Sequence, residues 1–172
     1  EGDDALVQAA ATALQGQPAK AVRTDGDFAD TAKHARHRFQ AEYHIATVAH
    51  ADLEPPNALV KVDSQRAVIV APVQNPRATF DTVQRLTGLA PDKIEIRLPR
   101  AGGGFGRFLE TDYVAEAVML AKAAGKPVKL MWTRAEAFAH DTFRPFSVHR
   151  LEACADRKNN LKAFERGVRA ML

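Results

Sequence analysis

One cysteine, one tryptophan and two tyrosines are spread through 172 residues. The lone thiol, Cys154, excludes an intramolecular disulfide and any iron–sulfur cluster held by this chain's own thiolates. Its alternating setting, Leu151-Glu-Ala-Cys-Ala, marks a buried small apolar residue rather than a nucleophile. No stretch reaches the roughly eighteen apolar residues that span a bilayer. Blocks of like charge are missing too. The net charge of +3 comes from dispersed Lys and Arg, and without a basic, aromatic stripe nucleic acid is not an expected partner. There is no internal repeat and no low-complexity tract. The chain opens Glu-Gly-Asp-Asp with no Met and no signal-like segment, so this start is not expected to be the native one.

What remains is an ordinary globular composition, long enough to bury a core as one domain or two small ones. Asp3 or Asp4 can cap a first helix reaching about Leu14, stopped by Gln-Gly-Gln-Pro. A short strand is expected over Ala19 to Arg23, a short helix from Asp27 to about Lys33, and a long strand within His34 to Val48. His34 and His37 are spaced as one helical turn, and His44 and His50 follow. No carboxylates or cysteines accompany them at ligand spacing, so a metal site is not assigned.

The prolines of Ala49-His-Ala-Asp-Leu-Glu-Pro-Pro-Asn57 then break any regular element. A hairpin follows, Ala58 to Val62 and Arg66 to Ala71, in which Val68-Ile-Val suggests a strand covered on both faces. Next come a helix from Pro76 to about Gly88 and an alternating strand from Lys93 to Leu98. This strand–helix–strand order predicts a βαβ crossover. It would place Gln74 and the segment after Leu98 at the carboxyl ends of two strands, where α/β folds bind ligands.

That segment is Arg100-Ala-Gly-Gly-Gly-Phe-Gly-Arg107. Four glycines in five positions are tolerated where positive φ angles are needed or where something approaches the main chain closely. Helical patterning from Phe108 to Ala124 predicts that free N–H groups and a positive dipole end point back into the loop, which suits an oxyanion. The spacing fits neither Gly-x-Gly-x-x-Gly nor a Gly-Lys-Ser/Thr phosphate loop. A ligand seat and a merely tight turn are equally compatible with the loop alone. A strand from Pro127 to Trp132, a capping box at Thr133-Arg-Ala-Glu and paired strands Ser147 to Ala155 and Leu161 to Val168 complete the reading.

Residues 100–107 resemble the Gly-Gly-Gly-Phe-Gly signature of the molybdenum hydroxylase large subunits, the molybdopterin-binding chains of the xanthine dehydrogenase and aldehyde oxidase family. The continuation Phe-Gly-Arg is most similar to the isoquinoline 1-oxidoreductase β-subunit branch. Residues 49–57 are similar to that branch's His-Ala-x-x-Glu-Pro-x-Asn segment, and His140-Asp-Thr-Phe-Arg-Pro145 to its His-Asp-x-x-Arg-Pro run. Three motifs in order cover most of the chain from about Ala41 to Asp156. Phe108 departs from the branch, which has a second arginine there. Glu110 lies one position beyond the family's substrate-contacting Glu, so that role is not carried over.

The resemblance implies an α+β fold with mixed sheets, the βαβ crossover and packed helices, cut from the middle of a longer subunit. It implies an N-terminal segment over 1–48 and a molybdopterin-binding portion over 49–172. Gln74 falls on the family's glutamine near the apical oxo ligand, and Phe105 on the loop phenylalanine beside the metal. Gly103, Gly104, Gly106 and Arg107 complete the expected cofactor-binding set, with the flanking main-chain N–H groups on Gly104 and Gly106. No residue here corresponds to the family's catalytic Glu or ligates the metal directly, so this piece alone is expected to be inactive. The whole enzyme would hydroxylate an N-heterocycle or an aldehyde with oxygen from water, using molybdenum and molybdopterin in its cytosine dinucleotide form. A small two-cluster iron–sulfur subunit and a cytochrome c acceptor are the implied partners. The branch also implies a bacterial, periplasmic or cytoplasmic setting. The competing readings are a phosphate- or nucleotide-binding module and a structural or subunit-contact domain.

Overall fold

A computed structural model describes residues 2–15 and 21–171. In chain order the elements are α1 (Gly2–Gln15), α2 (Phe28–His34), β1 (His37–Ile45), β2 (Asn57–Val62), β3 (Ala67–Val70), α3 (Pro76–Thr87), β4 (Ile94–Arg97), α4 (Asp112–Ala124), β5 (Val128–Met131), α5 (Arg134–Ala139), β6 (Phe146–Ala155) and β7 (Leu161–Met171). The fold is α+β, and the chain divides into two compact units, Glu1–Val48 with Arg144–Leu172, and Ala49–Phe143. Residues 144–172, grouped from the sequence with the glycine loop, thus belong with the first unit. The cause is strand pairing, because β6 aligns antiparallel with all nine residues of β1, from His37↔Ala155 to Ile45↔Ser147.

In the first unit β6 is the central strand of an antiparallel sheet ordered β1-β6-β7. Ala10 of α1 is buried with Phe146 and Val148 of β6. Asp27 caps α2 by accepting from the Asp30 N–H. This helix ends at His34 and β1 opens at His37, so those two histidines do not share a helical face. The strand expected over Ala19 to Arg23 is not formed at 21–23, and its first two residues lie outside the described ones. The β6–β7 turn is closed by the Asp156 carboxylate, which accepts from the Lys158 and Asn160 N–H groups, with Asn159 at φ 61°. Cys154 is fully buried.

The second unit carries a four-stranded sheet ordered β4-β3-β2-β5. β3 pairs with β2 antiparallel and with β4 parallel, from Ala67↔Ile94 to Val70↔Arg97, so β3, α3 and β4 form the expected βαβ crossover. Val60 and Ile69 from the sheet, Val83 from α3 and Val114, Ala117 and Val118 from α4 fill one core. Ile69 is fully buried while Val68 and Val70 are half-buried, so the run is covered completely on one face only. Pro76 opens α3 behind the Asn75 cap, and left-handed Gly88 closes it.

The helix expected from Phe108 begins instead at Asp112, because Arg107–Leu109 form a turn of 3-10 helix and Glu110 is extended. Its second residue, Tyr113, is wholly buried and donates its hydroxyl to the Pro72 carbonyl at 2.8 Å, just past β3. Burial pushes that phenol well above its usual range, so it stays a donor. Among the described residues no helix is long and apolar enough to cross a membrane. Tyr113→Phe strands the Pro72 carbonyl in the core and is expected to lower stability by about 1–2 kcal/mol in urea titrations.

Candidate functional site

Three left-handed residues within four positions make a corner of the loop after β4. Gly103 sits at φ 96°, Phe105 at φ 48° and Gly106 at φ 113°. Left-handed φ is easy for glycine, whereas for a phenylalanine it stores strain of roughly 1–3 kcal/mol, and such strain concentrates at functional sites. The corner is closed by Arg107 N–H donating to Gly104 O at 2.8 Å and Leu109 N–H to Gly106 O at 3.1 Å. Phe105 at the tip remains 51% exposed.

Gln74, after β3, is fastened to this corner twice. Its main-chain N–H donates to Phe108 O at 2.8 Å, and its side-chain Oε1 accepts from the Gly106 N–H at 3.1 Å. A main-chain N–H can only donate, so the amide oxygen must face it and the Nε2 donors turn away. The structure therefore brings Gln74 beside Phe105 and Gly106. It also corrects one expectation, since the Gly106 N–H is already engaged with Gln74 rather than open.

Residues 50–54 run beneath the loop in the opposite direction, residue against residue. Glu54 accepts from the Gly102 N–H at 2.5 Å, and Leu53 N–H donates to Gly103 O at 2.9 Å. The His50 ring lies 3.1 Å from where a Cβ on Gly106 would sit. Asn57 steadies Glu54, its Nδ2 donating to Oε1 at 2.8 Å. His50 is gripped in turn by Asp141, which accepts from its main-chain N–H at 2.5 Å and contacts ring Nδ1 at 2.7 Å. Residues of all three sequence motifs, 50–54, 102–106 and Asp141, thus meet at the corner. Among the described residues, three of the four non-glycine residues with positive φ, Ala51, Phe105 and Phe143, lie in or beside these motifs.

Arg107 departs from its expected place. Its side chain is fully buried, forked onto Asp112 at 3.0 and 2.5 Å, with its guanidinium carbon 5.2 Å from the Trp132 ring centre. It also lies 3.8 Å from Asp141. Its charge therefore backs the loop from the interior, where a planar fork suits a carboxylate. Arg134 closes the same region by donating to the carbonyls of Asp52 and Leu53. Among the described residues, Asp52 Oδ2 and Arg107 Nε are the buried side-chain atoms without a hydrogen-bond partner.

The glycines acquire structural reasons here. A Cβ on Gly104 would fall 2.4 Å from the buried Phe108 ring, and one on Gly102 3.0 Å from Glu54. The oxyanion geometry expected at a helix start is not formed, because the 3-10 turn and extended Glu110 separate α4 from the glycines. Reading His50 as one of several scattered histidines misses its partner, which lies ninety-one residues away. The detectable signal was the pairing of two motifs, each bearing an ionisable residue. Among the described residues no group of three His, Cys, Asp or Glu side chains converges to hold a metal ion.

Two outcomes follow from this packing. Gly104→Ala drives a methyl into Phe108 and is expected to destabilise the unit by at least about 1–3 kcal/mol in thermal melts, whatever the loop binds. Burial opposes charge on Asp141, but the His50 hydrogen bonds outweigh it and hold the carboxyl below its usual range. A depressed acid contributes stability above its unfolded pKa of about 4 that is lost as pH falls through the folded value. Asp141→Asn should therefore lower the melting temperature at pH 6, and the difference from the parent should shrink in melts taken below pH 3.

The family model of the molybdopterin cofactor-binding domain matches residues 13–170. The membrane-bound aldehyde dehydrogenase [pyrroloquinoline-quinone] of Gluconacetobacter polyoxogenes is 36% identical over 125 residues, covering 72% of this chain and 16% of that protein. Isoquinoline 1-oxidoreductase subunit beta of Brevundimonas diminuta is 33% identical over 114 residues, covering 65% and 14%. Among solved structures, the aldehyde oxidoreductase of Desulfovibrio gigas superposes with a TM-score of 0.65 at 18% identity, over 84% of this chain and 16% of that one. Quinoline 2-oxidoreductase of Pseudomonas putida 86 gives 0.62 at 21%, over 81% and 18%. The chain thus spans about one sixth of the length of these relatives. The domain model covers nearly the whole chain: this chain belongs to the molybdopterin cofactor-binding domain family.

Proposed function

We propose that the corner at Gly103–Gly106, with Phe105 and Gln74, forms one wall of a molybdopterin site. On this reading the protein that carries the chain hydroxylates an N-heterocycle or an aldehyde with oxygen from water. The observation that carries it is the hydrogen bond from the Gly106 N–H to Gln74 Oε1, which joins the two expected cofactor neighbours across thirty-two positions of sequence. The residues suit such a group. Gln74 is exposed and has its Nε2 donors turned away from the Gly106 N–H, Phe105 presents an exposed ring, and the left-handed glycines keep the main chain free of side chains. The Gln74 amide would donate a hydrogen bond to the bound cofactor without adding charge. The chemistry the bound cofactor supplies is two-electron oxidation of the substrate carbon.

The chain's own task is placement. Gln74 offers a donor of fixed direction, Phe105 screens one side from water, and Arg107 carries its charge behind the loop instead of into the site. The cytosine dinucleotide form of the cofactor, a two-cluster iron–sulfur partner and a cytochrome c acceptor belong to the same reading. Its support is the relative named as a β subunit and a chain whose one cysteine cannot ligate a cluster alone. The phosphate-module alternative loses its support with the displaced helix start. A purely structural loop accounts for the glycines but not for the outward donors of Gln74.

In the intact enzyme, Gln74→Ala should reduce turnover about a hundredfold, the scale for losing one oriented donor, while molybdenum per chain stays near the parent value. Unchanged turnover sinks the assignment. Extracted cofactor should fluoresce as a pterin and carry molybdenum. A quinone in its place, the cofactor printed in the Gluconacetobacter relative's name, would overturn the proposal.

A further inference from the structure

His50 and Asp141 are not among the residues of the wall just described, yet they are buried directly behind it. The His50 side chain is 10% exposed and that of Asp141 1%. Asp141 holds His50 at two points, main-chain N–H and ring Nδ1, so both the path of the backbone and the plane of the ring are fixed. The opposite edge of the ring, Cδ2 and Nε2, lies 3.1 Å from the position a Cβ would take on Gly106. Gly106 is the residue whose N–H directs the Gln74 amide. Segment 50–54 fastens the first half of the loop through Glu54 and Leu53, and on the second half the contact is the His50 ring.

We infer that His50, locked by Asp141, is a positioning residue for Gln74. Its ring edge occupies the space beneath Gly106 and holds that glycine at φ 113°, the conformation in which the N–H meets Oε1 and turns Nε2 outward. The neighbouring charges serve the same end: Arg107, one residue past Gly106, lies 3.8 Å from the carboxylate that grips His50. His50 acts through Gly106 and Gln74 without touching cofactor or substrate. The inference rests on the reading of Gln74 given above.

A double-mutant cycle in the intact enzyme tests it. His50→Ala is expected to lower kcat about tenfold with KM and molybdenum content near parent values, because a small misplacement of an oriented group suffices for such a loss. In a Gln74→Ala background the same change should cost nothing further, since residues acting as one unit are not additive. Additive losses would show that His50 acts elsewhere and overturn the inference. Gln74→Ala without effect would remove the Gln74 reading itself, so the two failures are separable. His50→Asn, which keeps an N–H for Asp141 but lacks the ring edge, should not restore kcat, and restoration would overturn the role. The same variant serves for the cycle if His50→Ala does not fold. A readout free of turnover is hydrogen–deuterium exchange over 102–108 in cofactor-free protein. His50→Asn should quicken it several-fold, and unchanged exchange would likewise refute the inference.

Discussion

The main-chain N–H of Gly106 has one acceptor to satisfy it, and nearly everything around the corner serves to keep that bond in place. Gln74 reaches it because β3 and β4 lie side by side in parallel, so the residues that follow both strands emerge at one edge. Gly106 can present it because glycine tolerates φ 113° and because the segment from His50 to Glu54 underlies the loop. Below that, Arg107 turns into the interior between Asp112, Asp141 and Trp132. A buried guanidinium is stable only when its charge is compensated, and two carboxylates with an aromatic face compensate it, although Nε itself has no hydrogen-bond partner.

This arrangement separates two uses of glycine that a sequence alone runs together. Gly104 is required by the Phe108 ring behind it, and so belongs to the core as much as to any ligand. Gly103 and Gly106 are required by backbone conformation. Neither reason speaks of a cofactor. What sets the corner apart is the company they keep, an exposed glutamine amide and an exposed phenylalanine held at a strained φ.

Much of the fold was legible because its signals are local. Pro76 and Gly88 bracket α3, the alternation of Ile94 and Ile96 marks β4, and Thr133 with Glu136 makes the capping box of α5. The pairing of Gln74 with the Phe105 corner was readable from the crossover and from the family motif together. Less legible were features decided by distant partners. Helical periodicity from Phe108 onward concealed the 3-10 turn, since Phe108 is buried by Gly104 and Tyr113 rather than by the helix face. Arg107 looked like a ligand-facing charge, because nothing nearby in sequence announces Asp141 or Trp132. The histidines differed only in environment: His50 meets a buried carboxylate, whereas His44 meets Glu42 at the surface.

The assignment of residues 144–172 to the first unit bears on how the chain acquires its structure. Ala49–Phe143 is one uninterrupted stretch whose own long-range strand pairing, β2 with β5, joins Asn57 to Met131, while β1 must wait for β6, with Arg38 meeting Glu152 across 114 positions. Closing so long a loop is slow, and contiguous segments organise first during synthesis. The corner at Gly103–Gly106 would thus be assembled before the sheet that brackets it in sequence, with the pairing of β1 and β6 coming last.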